Sequence, residues 1–146
     1  MRLSMSHPSL SPIPSPAPVS EVSWADPVRQ GLFQHWIAGI AAAQGLLPAT
    51  LRIASADASF RRYLRVDTVH GDSRIVMDAP PDKENSAPFV RIAALMQDAG
   101  LNAPKVLDWH EAHGFMLLTD LGNATMMSAI DAERPQANHG LYMQAV

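Results

Sequence analysis

His70 and Asp72 lie on either side of Gly71, a triplet that could begin the catalytic loop of a phosphoryl-transfer enzyme. In such a loop an asparagine follows the aspartate after four intervening residues and binds a metal ion. Counted in the same way from Asp72, that position holds Met77, whose thioether is a poor ligand for a hard divalent cation. Glycine and aspartate are also typical of a tight hairpin turn. The sequence therefore predicts that His70 and Asp72 are turn residues without a catalytic role.

Both sides of this triplet have the pattern of β-strands. Residues 50–55 alternate between apolar and polar side chains, and residues 60–69 do so again after a short interruption. A third apolar run, rich in branched residues, follows the triplet and ends at Pro80. In the second strand the alternation places Arg61 and Arg62 on opposite faces. The triplet is thus predicted to connect two strands of one sheet.

Helical patterns precede and follow these strands. Asp26 before Pro27 predicts the start of a helix, and Gly45 predicts its end. Apolar residues at helical spacing predict a second helix that closes at Gly100. A hairpin with strands at 106–109 and 115–119 follows, and helical character returns at 124–130 and 139–146. The predicted order is helix, three strands, helix, two strands.

The composition is that of one globular domain. The chain has 146 residues, of which 47% are hydrophobic and 17% charged. Its 11 basic and 14 acidic residues give a net charge of -3, so we expect no general attraction to nucleic acid or to an anionic membrane. The absence of cysteine excludes disulfides and thiolate metal sites and agrees with a cytoplasmic location.

The two ends of the sequence have distinct characters. Residues 1–22 are rich in serine and proline, which predicts a disordered tail, and the prolines interrupt every candidate for a secretory signal. Met5 is an alternative start of the chain. At the other end the helical pattern stops at Val146 without a capping residue, which leads us to expect a truncated protein.

Four segments in register resemble a known enzyme family. They are "ADASFRRYLRV", "RIVMDAPP", "LMQDAGLNAPKVL" and "GFMLLTDLG". In this order and spacing they resemble the N-terminal lobe of the aminoglycoside phosphotransferase-like kinases. Within that family they are most similar to the anomeric sugar kinases of bacterial cell-wall recycling, which phosphorylate N-acetylmuramate and N-acetylglucosamine at the anomeric hydroxyl.

The resemblance implies an α+β fold with a protein-kinase-like N-terminal lobe, an antiparallel sheet of about five strands with packed helices. It assigns residues 23–122 to this lobe, including the N-terminal helix, and residues 123–146 to the start of a truncated helical C-lobe. ATP and a sugar are the implied partners. The Mg²⁺ ligands are expected in the missing C-lobe, so no catalytic or metal-binding residue is predicted within this chain, and the fragment itself is expected to be inactive.

The resemblance also implies which residues contact the nucleotide. A glycine-free loop at 55–59 takes the place of the usual glycine-rich phosphate loop, and residues 119–121 take the place of the hinge, whose backbone binds adenine. The implied nucleotide-binding residues are Ser55, Asp57, Ala58, Ser59, Arg61, Arg62, Asp78, Thr119, Asp120 and Leu121.

Several of these roles have alternatives. Only one of Arg61 and Arg62 can point toward the bound nucleotide, because they lie on opposite faces of the strand. Asp78 takes the position of a basic residue that normally steadies the phosphates, where a carboxylate would repel them, so it could instead hold a metal-bound water or pair with an arginine. Tyr63 and Val76 could cover the adenine or fill the core. For the whole protein, the alternatives are a kinase of another small alcohol, such as an aminoglycoside, choline or homoserine, and a non-catalytic nucleotide-binding or regulatory module.

Overall fold

The computed structural model describes residues 22–56, 60–123 and 130–144. Its elements are α1 (Pro27–Gln44), β1 (Leu46–Ala56), β2 (Arg62–Thr68), β3 (Ser73–Asp78), α2 (Ala87–Asp98), β4 (Val106–His110), β5 (Phe115–Thr119), a 3₁₀ helix (Pro135–Asn138) and α3 (His139–Gln144). The five strands form one antiparallel sheet in the order β1-β2-β3-β5-β4. The predicted α+β class and the order of elements are confirmed. The expected tail at 1–22 and the helical pattern at 124–130 lie almost entirely outside the described residues.

The ends of α1 are those that the sequence predicts. The Asp26 carboxylate accepts a hydrogen bond from the backbone N–H of Val28 at 2.9 Å, which satisfies one of the free N–H groups of the first turn. Gly45 ends the helix at φ 63°, a left-handed conformation that glycine adopts without a steric cost.

Strand β1 begins earlier than the sequence pattern indicates, at Leu46 and so before Pro48. Proline cannot donate a backbone hydrogen bond, but β1 is an edge strand, and its register with β2 is irregular between Leu47 and Arg52. An edge position and a local irregularity both let a strand contain proline.

The two faces of the sheet carry different helices. On the α1 face, Phe33, Trp36 and Ile37 pack against sheet residues that include Leu64 and Val76. On the opposite face, the α2 face, Phe89 and Val90 pack against Met77, Met116 and Leu118. Because side chains alternate along a strand, Val76 and Met77 contribute to different clusters. Each fully buried side chain of this size stabilises the fold by about 1.5–3 kcal/mol.

Some of the apolar residues on the two helices remain exposed to solvent. Val28 and Leu32, near the start of α1, are exposed, and so are Ile92 and Leu95 on α2. Burial is therefore confined to the helix residues that face the sheet. Within the described parts of the chain, no helix combines the length and the apolar composition that a bilayer crossing requires.

The His70-Gly71-Asp72 triplet lies in the turn between β2 and β3, as predicted. The backbone N–H of Thr68 donates to the carbonyl of Asp72 at 2.8 Å, and Gly71 adopts φ 85°. The Asp72 carboxylate accepts hydrogen bonds from the Thr68 hydroxyl and the Arg74 guanidinium, which together lower its pKa. The aspartate is thus occupied with closing a hairpin.

The turn between β4 and β5 depends on Gly114. Its carbonyl accepts a hydrogen bond from the backbone N–H of Ala79 at 2.9 Å, and its φ is 67°. A Cβ atom at this position would lie 1.8 Å from the carbonyl oxygen of Ala79. Only glycine lets these two chain segments approach so closely.

Candidate functional site

A cavity of about 480 Å³ opens on the α2 face of the sheet, beside the segment that follows β5. Its floor comes from three adjacent strands, because Arg65 pairs in register with Ile75 and Ile75 pairs with Leu118. Its lining residues are Ala54, Ser55, Tyr63, Arg65, Ile75, Phe89, Pro104, Leu118, Thr119, Asp120, Leu121, Gly122 and Asn123. The apolar residues Ile75, Phe89 and Leu118 are among them, and an apolar surface of this kind suits a flat heteroaromatic ring.

The sequence-predicted hinge residues Thr119, Asp120 and Leu121 all border this cavity. Leu121 is 51% exposed, and its peptide groups make no hydrogen bond within the described part of the chain. A peptide with free donor and acceptor groups can pair with the edge of a purine base. The side chain of Leu121 is not needed for this pairing, since its backbone carries the polar groups.

The side chain of Asp120 ties the segment after β5 to the sheet. Its carboxylate accepts hydrogen bonds from Arg65 at 2.5 and 3.1 Å and from the Ser73 hydroxyl at 2.6 Å. It also accepts the backbone N–H of Gly122 at 2.8 Å. Burial raises the pKa of Asp120, but the hydrogen bonds from Arg65, Ser73 and Gly122 outweigh it and hold the pKa at about 2.

Ser55 borders the same cavity at the end of β1, opposite Tyr63 in the register. The three other predicted loop residues, Asp57, Ala58 and Ser59, lie outside the described residues. Their contact with phosphate groups stays a prediction.

The structure places Asp78 on the α1 face, away from this cavity. Its side chain is 3% exposed, and its two carboxylate oxygens accept hydrogen bonds from Arg29 and Arg62. Strand alternation explains the placement, because Met77 takes the α2 face and its neighbour must then take the other. The pairing is the arginine-partner alternative considered for Asp78, and it uses both of its oxygens.

Arg61 and Arg62 are both engaged with acidic partners. The Arg61 guanidinium forms an ion pair with Glu84 at 3.1 Å. Arg62 pairs with Asp78 and stacks over the ring of Trp24, with its guanidinium carbon 4.1 Å from the ring centre. Neither arginine lines the 480 Å³ cavity, although one of the two was expected in the cleft.

Strand alternation also places Tyr63 and Val76 on opposite faces of the sheet. Tyr63 lines the cavity and packs on the α2 face, whereas Val76 is fully buried on the α1 face. The sequence reasoning missed Arg65 and Ile75. Both lie on the same face as Tyr63 by the period of two, so the alternation itself was the available signal.

Across residues 22–56, 60–123 and 130–144, no three histidine, cysteine, aspartate or glutamate side chains come together as a possible metal site. Several carboxylates in these segments form ion pairs with arginine side chains instead.

Comparison with known proteins matches residues 50–145 to the model of the phosphotransferase enzyme family. An N-acetylmuramate/N-acetylglucosamine kinase of Pseudomonas aeruginosa is 48% identical over 84 residues, covering 57% of this chain and 24% of that protein. The kinase of the same name from Neisseria meningitidis is 40% identical over 97 residues, covering 66% of this chain and 28% of the relative. The kinase of the same name from Pseudomonas putida is 39% identical over 124 residues, covering 84% of this chain and 34% of that protein.

The chain thus spans between about a quarter and a third of the length of these relatives, from 24% to 34%. The family match includes four of the five strands in full, the hinge and the cavity they form. Because this match extends over well more than half of its residues, the chain belongs to the phosphotransferase enzyme family.

Proposed function

We propose that this chain is the nucleotide-binding lobe of an ATP-dependent kinase that phosphorylates an amino sugar of the N-acetylmuramate/N-acetylglucosamine type. The names of the three relatives support the sugar class. Residues 23–122 form the lobe and residues 123–146 begin a helical C-lobe. Phosphorylation at the anomeric hydroxyl, a role in cell-wall recycling and a cytoplasmic location extend the same proposal.

The observation that carries the proposal is the cavity between the sheet and the hinge. Tyr63, Ile75 and Leu118 offer an apolar surface. The peptide groups of Leu121, which have no hydrogen-bond partner among the described residues, lie at its edge. An adenine ring buries its apolar faces and satisfies its polar edge in such a site. The ribose and phosphates would then extend toward the end of β1, where Ser55 lies.

The phosphates need positive charge or hydrogen-bond donors, and this lobe offers mainly donors. The loop that follows Ser55 supplies backbone N–H groups and the Ser59 hydroxyl in this proposal. Asp78 has no part in it, because Arg29 and Arg62 occupy its carboxylate. The expected repulsion between Asp78 and the nucleotide therefore does not arise.

Magnesium would neutralise the phosphates and orient them when bound. The described residues offer no group of three suitable ligands, so we assign the metal ligands to the C-lobe of the whole enzyme. The 146-residue chain alone is then inactive. Without a second lobe to enclose ATP, its affinity is expected to be about millimolar, or roughly -4 kcal/mol.

The test of the proposed activity uses a full-length enzyme that carries this lobe. Phosphate transfer from ATP is measured with N-acetylmuramate and N-acetylglucosamine, in parallel with choline, homoserine and an aminoglycoside. We expect kcat/KM to be higher for the two amino sugars by at least about 100-fold, a difference of about 2.7 kcal/mol in transition-state binding. Preference for one of the other alcohols would overturn the substrate class, and no transfer to any of them would favour a non-catalytic module.

The test of the nucleotide site uses Ala54→Phe, which places a ring in the cavity. Ala43→Phe, on an exposed position of α1, makes the same change away from it. We expect Ala54→Phe to weaken Mg-ATP binding by at least about tenfold and Ala43→Phe to leave it unchanged. Equal binding by both variants would exclude this cavity as the adenine site.

A further inference from the structure

A second, smaller cavity lies where the loop after β3, the start of α2 and the β4–β5 hairpin meet. Its volume is about 170 Å³, roughly the space of five or six water molecules in the liquid. It is lined chiefly by Pro81, Glu84, Ser86, Trp109, Glu111 and Gly114. None of these residues lines the candidate nucleotide site.

Two residues that line this cavity each carry a buried polar atom without a partner in the described part of the chain. These atoms are the hydroxyl oxygen of Ser86 and the indole nitrogen Nε1 of Trp109. Ser86 as a residue is only 7% exposed. An unpaired buried donor costs roughly 1–3 kcal/mol, so two in one cavity mark a place where an external acceptor is favourable.

The Ser86 hydroxyl is free because a neighbour caps the helix. Ser86 is the N-cap residue of α2, yet its side chain makes no capping hydrogen bond. The Asn85 side-chain oxygen accepts the backbone N–H of Ala87 at 3.1 Å instead. The start of this 12-residue helix therefore presents a free hydroxyl together with its own partial positive charge.

The rim of the cavity has the opposite character. Glu84 pairs with Arg61 at 3.1 Å, and Glu111 is exposed. A ligand anion would meet both carboxylates, whereas a ligand N–H group could donate to either of them. The interior thus favours an acceptor oxygen and the rim favours a donor.

We propose that this cavity is a binding site for a small neutral amide. The amide carbonyl accepts hydrogen bonds from the Ser86 hydroxyl and from Nε1 of Trp109, and the amide N–H donates toward Glu84 or Glu111. The site is separate from the nucleotide cavity, and the proposal does not depend on the kinase substrate.

The experiment follows the indole N–H signals of the whole chain by nuclear magnetic resonance during titration with N-methylacetamide. The sequence has 3 tryptophans, so the other two serve as internal controls. Nε1 of Trp36 already donates to Asp108 at 2.8 Å, and Trp24 lies under Arg62. We expect a saturable shift of the Trp109 signal alone, with a Kd on the order of 10 mM for so small a ligand.

Sodium acetate and N-acetylglucosamine form two further arms. Acetate has a similar shape with a full negative charge, and we expect it to shift the Trp109 signal less than the amide does. N-acetylglucosamine carries the same amide on a sugar ring. A shift by this sugar with a Kd below that of N-methylacetamide would identify an acetamido sugar as the favoured amide, and no shift would restrict the site to amides without a sugar ring.

Two variants separate binding from folding. Ser86→Ala removes one donor without breaking any hydrogen bond of the described structure, and it is expected to weaken the amide titration at least about threefold. Glu111→Gln removes a negative charge from the rim. It is expected to reduce the difference between the Trp109 shifts that acetate and N-methylacetamide cause. The proposal is overturned if Trp109 does not respond to N-methylacetamide, if all three indoles shift alike, if acetate binds as well as the amide, or if Ser86→Ala binds it unchanged.

Discussion

Arg65 and Asp120 form a two-point ion pair, at 2.5 and 3.1 Å, that joins the middle of β2 to the segment after β5. Both side chains are largely buried, and both residues border the candidate nucleotide cavity. The pair therefore fixes the position of the hinge peptide relative to the sheet. In the proposed site, Arg65 and Asp120 are positioning residues, because the groups offered to adenine are those of the backbone.

Asp120→Asn is expected to destabilise the fold by about 2 kcal/mol. The mutation removes the negative charge that Arg65, Ser73 and Gly122 stabilise, and this stabilisation is what lowers the pKa of Asp120 to about 2. Urea denaturation at neutral pH measures the loss. Asp67→Asn is the matched control, since its partner Arg52 is more exposed and such pairs contribute about 0–1 kcal/mol. Equal decreases in the free energy of unfolding would show that the Arg65–Asp120 pair stabilises the fold no more than the exposed pair does.

The same ion pair should give the stability a defined acid dependence. The folded pKa of Asp120, about 2, lies below its ordinary value of 3.8, so the unfolded chain binds the proton more readily. The contribution of Asp120 is then complete above about pH 4 and disappears as the pH falls toward 2. Urea midpoints of the parent and Asp120→Asn should converge over this interval, and a constant difference down to pH 2 would contradict the assignment.

Asp78→Ala is expected to cost about 3–5 kcal/mol, because it leaves Arg29 and Arg62 beside each other without their shared carboxylate. Asp131→Ala is the control. It breaks an ion pair with Arg134, which is 80% exposed, and two exposed hydrogen bonds from the backbone N–H groups of Glu133 and Arg134, so we expect it to cost no more than about 1 kcal/mol. Thermal unfolding of both variants provides the comparison. If Asp78→Ala lowers the stability as little as Asp131→Ala does, the buried carboxylate has no structural role.

Replacing His70 and Asp72 together by asparagine should leave turnover of a full-length enzyme within a few-fold of the parent. Both residues lie in the β2–β3 turn, where Asp72 bonds Thr68 and Arg74. Steady-state kinetics with ATP and the sugar measure the effect. A loss of about 10³-fold or more, the scale of a catalytic base or a phosphoryl-stabilising group, would overturn the turn assignment.

Gly114→Ala is expected to destabilise the fold by at least about 2 kcal/mol more than Gly100→Ala. Both glycines have positive φ, at 67° and 76°, so both substitutions bear the cost of a left-handed alanine, about 1–2 kcal/mol. Only at Gly114 does the new methyl group meet a backbone atom, the Ala79 carbonyl oxygen, whereas nothing lies within 4 Å at Gly100. Similar urea midpoints for the two variants would mean that the hairpin can move aside.

Local sequence signals determined the elements of this protein. Asp26 and Gly45 set the ends of α1 through groups within a few residues of each helix end. The Gly71-Asp72 pair between an alternating run and an apolar run was sufficient to predict the β2–β3 turn. Part of the candidate site was implied by the family resemblance instead, and Ser55 and residues 119–121 do border the cavity. The helix ends and the turn depend on hydrogen bonds and steric limits between near neighbours, which a sequence displays directly.

The tertiary structure decided which charges meet. Arg65 and Asp120 are 55 residues apart, and Arg29 and Asp78 are 49 apart, so no local pattern relates them. Asp78 illustrates the difference, because alternation fixes that it faces away from Met77 but does not state which helix covers either face. That choice follows from the packing of α1 and α2 on opposite sides of the sheet, where burial of apolar surface makes an unpaired carboxylate costly and brings the arginines to it.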